Sequence, residues 1–140
     1  MLTIRVNLIA VIHRALREST LLENSPYIMR DGSQQLSDFG GEPDRDSYIN
    51  LPNSDGMATE EGKGTLRIHV FGLRDGVSHG EGLASSDMAL LRPAYEKIIA
   101  DGVDGEDERA MGFWTSCFKK GLVDEVILTG ENKPILARPS

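Results

Sequence analysis

A long polar stretch, Asn24 to Gly64, separates an apolar N-terminal segment of this 140-residue chain from its clearest strand-like segment. Of the 41 residues in this stretch, 22 are Gly, Pro, Asp, Asn or Ser. Loops without regular structure that exceed about 12 to 15 residues are uncommon in compact domains. The sequence therefore predicts that residues 24–64 form a polar arm, long loop or extended hairpin that another protein surface holds in place.

The charge of the chain limits its partners. The formal net charge is −7, with 15 basic and 22 acidic residues, and residues 24–64 alone carry a net charge of −5. Nucleic-acid binding needs clustered Lys and Arg to displace counterions from phosphates, so we expect no nucleic-acid specificity. An acidic arm suits docking on a basic protein surface, although a solvated loop has the same composition.

Cysteine content and hydropathy indicate the compartment. Cys117 is the single cysteine, which excludes a disulfide within the chain and a zinc site of paired cysteines, and a reducing compartment is expected. The apolar segment from Leu2 to Leu16 is short and is interrupted by charged residues, so it predicts no membrane span. We expect no metal, no cofactor and a cytosolic site of assembly.

Hydrophobic periodicity predicts a helix in three places. Apolar residues from Leu2 to Leu16 recur at helical spacing, although their β-branched members leave a strand possible. A second helix, capped by Ser85 or Ser86, is predicted to reach Ile99 and to be kinked or divided at Pro93. The third is predicted from Asp107 to Lys120, and the glycine that follows it is typical of a helix end.

Alternating and β-branched segments predict the strands. The clearest strand is Thr65 to Phe71, in which Leu66, Ile68 and Val70 are expected to share the core face. Short strands Tyr27 to Arg30 and Ser47 to Leu51 can pair within the polar stretch, and Leu122 to Thr129 with Ile135 to Ala137 indicates a terminal hairpin. Together these elements predict one α+β domain over residues 1–140, with a small, mostly antiparallel sheet covered on one face by helices.

Few residues suggest chemistry. His79 lies in the glycine-rich loop Ser78 to Gly82, where a general base would be reachable, but neighbours in sequence do not supply catalytic geometry. His13 lies near the apolar face of the first predicted helix and is expected to be a packed, hydrogen-bonded residue. Cys117 shares a helical face with aromatic residues, which favours core packing over nucleophilic catalysis. The segment Gly56 to Thr65 departs from the spacing of a phosphate-binding loop. We therefore assign no catalytic or metal-binding residue.

The order of elements resembles a known family. An amphipathic first helix, an irregular segment, a strand TLRIHVF (Thr65 to Phe71), a helix SSDMALLRPAYEKI (Ser85 to Ile98) and closing strands are similar to the tail-terminator and head–tail joining proteins of tailed bacteriophages. The long polar stretch and the helix from Asp107 to Lys120 depart from that pattern. The resemblance implies a structural protein of the virion, without enzymatic activity, assembled in the host cytoplasm.

That resemblance also implies partners and contact residues. Proteins of that family form rings that cap the tail or join the tail tube to the head connector. A ring arises when a head-to-tail contact between subunits closes on itself. The expected partners are copies of the same chain and other virion proteins. The expected interface consists of Tyr27, Ile28, Phe39, Tyr48, Ile49, Arg67 and His69.

Two functions of other classes are compatible with the same residues. One is a small soluble enzyme in which the loop around His79 supplies a base and the polar stretch closes over it as a lid. The other is an acidic inhibitor whose polar stretch binds a basic partner. Loss of turnover in His79→Ala would indicate the enzyme, and salt-dependent binding to a basic partner would indicate the inhibitor.

Overall fold

The computed structural model describes residues 25–29, 33–62 and 64–139. Within them, seven strands form one sheet. The strands are β1 (Ile28–Met29), β2 (Ser47–Asn50), β3 (Ser54–Glu61), β4 (Thr65–Leu73), β5 (Lys97–Val103), β6 (Glu125–Leu128) and β7 (Leu136–Ala137). The helices are α1 (Ser33–Asp38), α2 (Leu83–Leu91) and α3 (Glu108–Lys119), and a short 3-10 helix, Arg92–Ala94, follows α2. The helix predicted from Leu2 to Leu16 lies outside the described residues.

The strands lie in the sheet in the order of the chain, from β1 to β7. In the described part of the chain, β4 pairs in parallel with β5 and β5 with β6, while the four other neighbouring pairs are antiparallel. Each parallel connection contains a helix, α2 in the first and α3 in the second, as a crossover requires. The α+β class and the mostly antiparallel sheet are thus confirmed.

Residues 24–64 do not form the predicted arm where the structure describes them. Ile28 pairs with Ile49 in antiparallel β1 and β2, as the sequence predicted, and β3 then continues the same sheet. The side chains of Leu36 and Ile49 are fully buried. The few apolar side chains of this segment stabilise it because they are buried against other parts of the chain. The small number of apolar residues within the segment does not reveal this stabilisation.

The segment predicted to end the second helix is a strand. The helix α2 ends at Leu91, and after the 3-10 helix that contains Pro93 the chain enters β5 at Lys97. Gly82 with φ +76° occupies the N-cap position, instead of Ser85 or Ser86. The apolar run in β5 is buried on both faces between two parallel strands, and such strands show no alternation in sequence.

A bulge in β4 changes which residues share a face. Val70 pairs with Met57 and Ile68 with Ala58, so His69 is an extra residue in β4. An extra residue reverses the alternation of side chains beyond it. Ile68 therefore belongs to one core cluster and Val70 packs against another, whereas the alternating pattern predicted that the two share a face.

Two core clusters lie on the two faces of the sheet. Ile49 belongs to the large cluster, and the preceding residue Tyr48 belongs to the small cluster. This is expected because successive side chains of a strand point to opposite faces of the sheet. The large cluster includes Met88 of α2 and Trp114 of α3, and the small one includes Leu36 of α1. Helices covering one face of the sheet are therefore not confirmed, because α1 packs on the face opposite to α2 and α3.

Candidate functional site

A cleft opens beyond the C-terminal end of β4, between the first turns of α2 and α3. Its volume is about 640 Å³. We call it the aromatic cleft, and its lining includes Phe71, His79, Ser85, Asp107, Arg109 and Phe113. The helices α2 and α3 follow the parallel strands β4 and β5, so the cleft lies beyond the carboxyl ends of these strands.

Three aromatic rings form one wall of the aromatic cleft. The rings of Phe71 and Phe113 stack with their centroids 5.7 Å apart and their planes 10° apart. Trp114 meets Phe113 edge-on at 4.8 Å and is 7% exposed, whereas the other two rings are half-buried. This wall joins the end of β4 to the second turn of α3 and leaves aromatic surface accessible from the cleft.

The helix α3, which carries Phe113 and Trp114 of this wall, has ends that are well defined by the sequence. Oδ1 of Asp107 accepts hydrogen bonds from the backbone N–H groups of Arg109 and Ala110, at 3.0 and 3.1 Å. This is N-capping, at the residue where the sequence predicted the helix to begin. Gly121 with φ +79° follows the helix and permits the left-handed turn that ends it.

The polar groups on the cleft lining differ in how far they are already engaged. The carboxylate of Asp107 caps α3, as described above. By contrast, the side chains of Arg109 and His79 are exposed and form no hydrogen bond or ion pair with any other residue that the structure describes. The free hydrogen-bonding capacity that these two residues offer to the cleft is therefore chiefly that of donors.

The loop around His79 borders the cleft without a catalytic arrangement. His79 and Gly80 line the cleft, whereas Ser78 and Glu81 of the same loop are exposed and are not part of the lining. No described residue hydrogen-bonds to the His79 ring, so nothing there orients it as a general base. The loop brings a single imidazole to the cleft and leaves its neighbours outside.

Cys117 lies beneath the cleft wall and is fully buried. Burial raises the pKa of its thiol to about 11, an effect that outweighs the nearby charge of Lys120 and the hydrogen bond with Ser85. A thiol with this pKa is a poor nucleophile near neutral pH. The prediction that Cys117 packs in the core is thus confirmed.

The predicted interface residues do not form one surface. Ile28, Tyr48 and Ile49 are at most 6% exposed within their own chain, so in this conformation they offer little surface to a partner. Tyr27, Phe39, Arg67 and His69 are half-buried.

Each of these half-buried side chains is engaged within the chain. Tyr27 packs against the large cluster and Phe39 against the small one. Arg67 pairs with Glu61 at 2.7 Å and with Asp101 at 3.0 Å. His69 meets the hydroxyl of Thr59 at 2.8 Å. An interface that uses these four residues has to form around contacts that already exist.

A buried carboxylate, Asp46, organises the turn before β2. It accepts hydrogen bonds from Arg45, from the backbone N–H of Glu42 at 2.9 Å and from the hydroxyl of Thr59 at 2.8 Å. The Arg45 guanidinium, with help from the other donors, lowers the pKa of Asp46 to about 2 against the cost of burial. Asp46 is thus an ionised structural group on the sheet face opposite to the aromatic cleft.

Neither metal ligands nor membrane helices are found in the described ranges. No group of three or more His, Cys, Asp or Glu side chains there is placed to hold a metal ion. None of the helices there is both long and apolar enough to cross a bilayer.

Sequence reasoning found His79 but missed Phe71, Arg109 and Phe113 as cleft residues. Phe71 ends a strand and the other two lie in the first turns of a helix, which is a signal for a cleft once the preceding segments are known to be parallel strands. That signal was hidden because β5 was predicted to be helical.

Comparisons with known proteins give no relative. No protein-family model matches the chain, and no curated protein or solved structure is significantly similar to it.

Proposed function

We propose that this protein binds a small molecule with a planar, apolar body in the aromatic cleft. The observation that carries the proposal is a cavity of about 640 Å³ walled by Phe71 and Phe113. Ligand sites are usually clefts of about 300 to 1,000 Å³ with apolar and aromatic walls and a few polar groups. The aromatic cleft has this size and this combination of groups.

The elements that bound the cleft support binding rather than a chance surface depression. Phe71 lies on β4, which pairs along its length with β3 and is a strand of the sheet interior. Arg74, just after β4, donates to the backbone oxygen of Leu51 at 3.0 Å and holds the start of the His79 loop. Binding costs less when the walls are ordered before the ligand arrives, because less conformational entropy is lost.

Ligand binding can be tested with aromatic fragments and the intrinsic fluorescence of Trp114, the single tryptophan. The neutral compounds benzamide, phenylacetamide and 2-naphthamide are titrated into the full chain, and binding is followed by fluorescence and by ligand-observed NMR. We expect saturable binding by at least one of them. The variant Ala110→Phe fills the lining and should abolish it.

The matched control is Ala89→Phe, the same substitution at an exposed position of α2 outside the cleft lining. It should bind as the wild type does, and circular dichroism should show that both variants are folded. Absence of saturable binding by all three amides, or equal binding by folded Ala110→Phe, would contradict the proposal.

Self-assembly in a virion, expected from the resemblance, is a second proposal with one supporting observation. In the described sheet, β7 is an edge strand, and the adjacent Ile135 is 54% exposed. An exposed sheet edge with an apolar side chain is a surface on which another strand can pair. Under this proposal, copies of the chain form a ring through that edge and contact other virion proteins.

The mass of the full chain in solution tests this assembly. A ring predicts a discrete oligomer in native mass spectrometry, and Ile135→Lys should dissociate it because the charge opposes burial of the edge. Lys133→Gln, an exposed change in the preceding turn, should leave the oligomer intact. A wild-type monomer at all concentrations would exclude the ring.

A further inference from the structure

We infer, resting on the proposed function, that the ligand of the aromatic cleft is a small aromatic carboxylate whose acid group is held by Arg109 and His79. Among the described residues, every arginine but Arg109 forms an ion pair with a carboxylate. Those paired arginines are Arg45, Arg67, Arg74, Arg92 and Arg138.

Arg109 forms no ion pair within the described part of the chain, although acidic residues precede it directly. Glu106, Asp107 and Glu108 are its near neighbours in sequence. Asp107 is instead turned toward the backbone N–H groups of Arg109 and Ala110. Arg109 lines the cleft, and its guanidinium has no carboxylate within ion-pair distance among the described residues, so its five N–H donors are available to the carboxylate of a ligand.

His79 lines the same cleft and is equally without a partner among the described residues. Its imidazole can donate one hydrogen bond in the neutral form. The negative charge of Asp107 is partly balanced by its position at the N-terminus of α3, so it opposes an incoming anion less than a free carboxylate does. The donors of the cleft therefore favour a ligand with an acidic group.

The rest of the ligand is defined by the aromatic wall. Phe71 and Phe113 already stack on each other with near-parallel planes. A further ring can extend this cluster by stacking or by an edge-to-face contact, which aliphatic chains cannot do. The aromatic body and the acidic group of one molecule would thus meet the two chemically different parts of the same cleft.

Matched pairs of acid and amide separate this inference from the proposed function. Benzoate, phenylacetate and 2-naphthoate are compared with the corresponding amides, which have nearly the same shape without the charge. We expect the acids to bind the wild type about threefold to tenfold more tightly, because hydrogen bonds with charged groups are stronger but Arg109 is exposed to solvent. Increasing salt should reduce this preference.

The variant Arg109→Gln should lose the preference for acids over the corresponding amides. Lys119→Gln removes the same charge from the other end of α3 and should keep the preference for acids. If amides bind but the wild type shows no preference for acids, or if the preference survives in Arg109→Gln, the assignment of an acidic ligand is wrong. If neither acids nor amides bind, both the proposed function and the assignment of an acidic ligand are wrong.

Discussion

The hydroxyl of Thr59 donates a hydrogen bond of 2.8 Å to Oδ1 of Asp46, a residue that is 2% exposed. An ionised carboxylate only accepts, so the hydroxyl proton points toward Asp46. The Nε2 atom of His69, also 2.8 Å from the Thr59 oxygen, must then be the donor to that oxygen. This chain of bonds joins the turn before β2 to β3 and to the bulge of β4.

Thr59→Val is expected to destabilise the protein by about 1 to 3 kcal/mol. Valine keeps the shape but removes the donor to Asp46 and the acceptor for His69, so two polar groups lose a partner. The free energy of unfolding in urea measures the effect. Thr115→Val, on a half-exposed threonine of α3, is the control and should change stability by less than about 0.5 kcal/mol. Equal effects of the two substitutions would show that the chain of bonds contributes nothing.

Asp46 is expected to make stability dependent on acid pH. Its pKa is about 2 when folded, below the value of 3.8 for an unperturbed Asp, so the folded state favours the ionised carboxylate. This contribution is fully present above about pH 4 and is lost as the pH falls toward 2. Its size is at most about 2 kcal/mol, because the main partner, Arg45, is 65% exposed and screened by solvent.

Urea unfolding of Asp46→Asn at pH 7, 4 and 2.5 tests this dependence. The variant should be less stable than the wild type at pH 7, and the gap should narrow between pH 4 and 2.5. Asp44→Asn, at an exposed position in the same turn, should show no such narrowing. A gap that stays constant down to pH 2.5 would mean that Asp46 titrates normally.

Asp87→Asn is expected to destabilise the protein by about 2 to 3 kcal/mol. Asp87 is 1% exposed and accepts three hydrogen bonds, two from Asn53 and one from the hydroxyl of Ser54. The carboxamide of the introduced asparagine has only one acceptor oxygen. Its N–H donors would face the donors of Asn53 and Ser54, which then lack an acceptor. Urea unfolding measures the loss, with the exposed Asp75→Asn as control.

A double variant shows whether the unpaired donors cause that loss. Adding Ser54→Ala to Asp87→Asn removes one of the donors left without an acceptor, so the pair should cost less than the sum of the single variants. Strict additivity would indicate that Asp87 and Ser54 do not interact.

Local signals in the sequence predicted several elements correctly. The Asp107 cap and Gly121 define α3, and hydrogen bonds within one or two turns of the chain determine both ends. The pairing of β1 with β2 and the terminal hairpin of β6 with β7 were likewise predicted from alternation and turn residues. In each case the deciding interactions connect residues that the sequence pattern itself contains.

Tertiary contacts decided the elements for which local patterns gave the wrong answer. Ile98 and Ile99 lie in a strand because β4 pairs with both and β6 pairs with Ile99, whereas their apolar spacing also fits a helix. The bulge at His69 is a property of the pairing between β3 and β4, and alternation along β4 alone cannot reveal it.

Signals of capping, turns and periodicity were enough to predict an α+β domain with a C-terminal helix and hairpin, because they act over a few residues. Long-range pairing and packing make residues 33–62 part of the fold and bring Phe71, His79 and Arg109 to one cleft. The first turns of α2 and α3 meet because β5 pairs in parallel beside β4. Neither the sequence of β4 and α2 nor that of β5 and α3 contains a pattern that predicts this proximity.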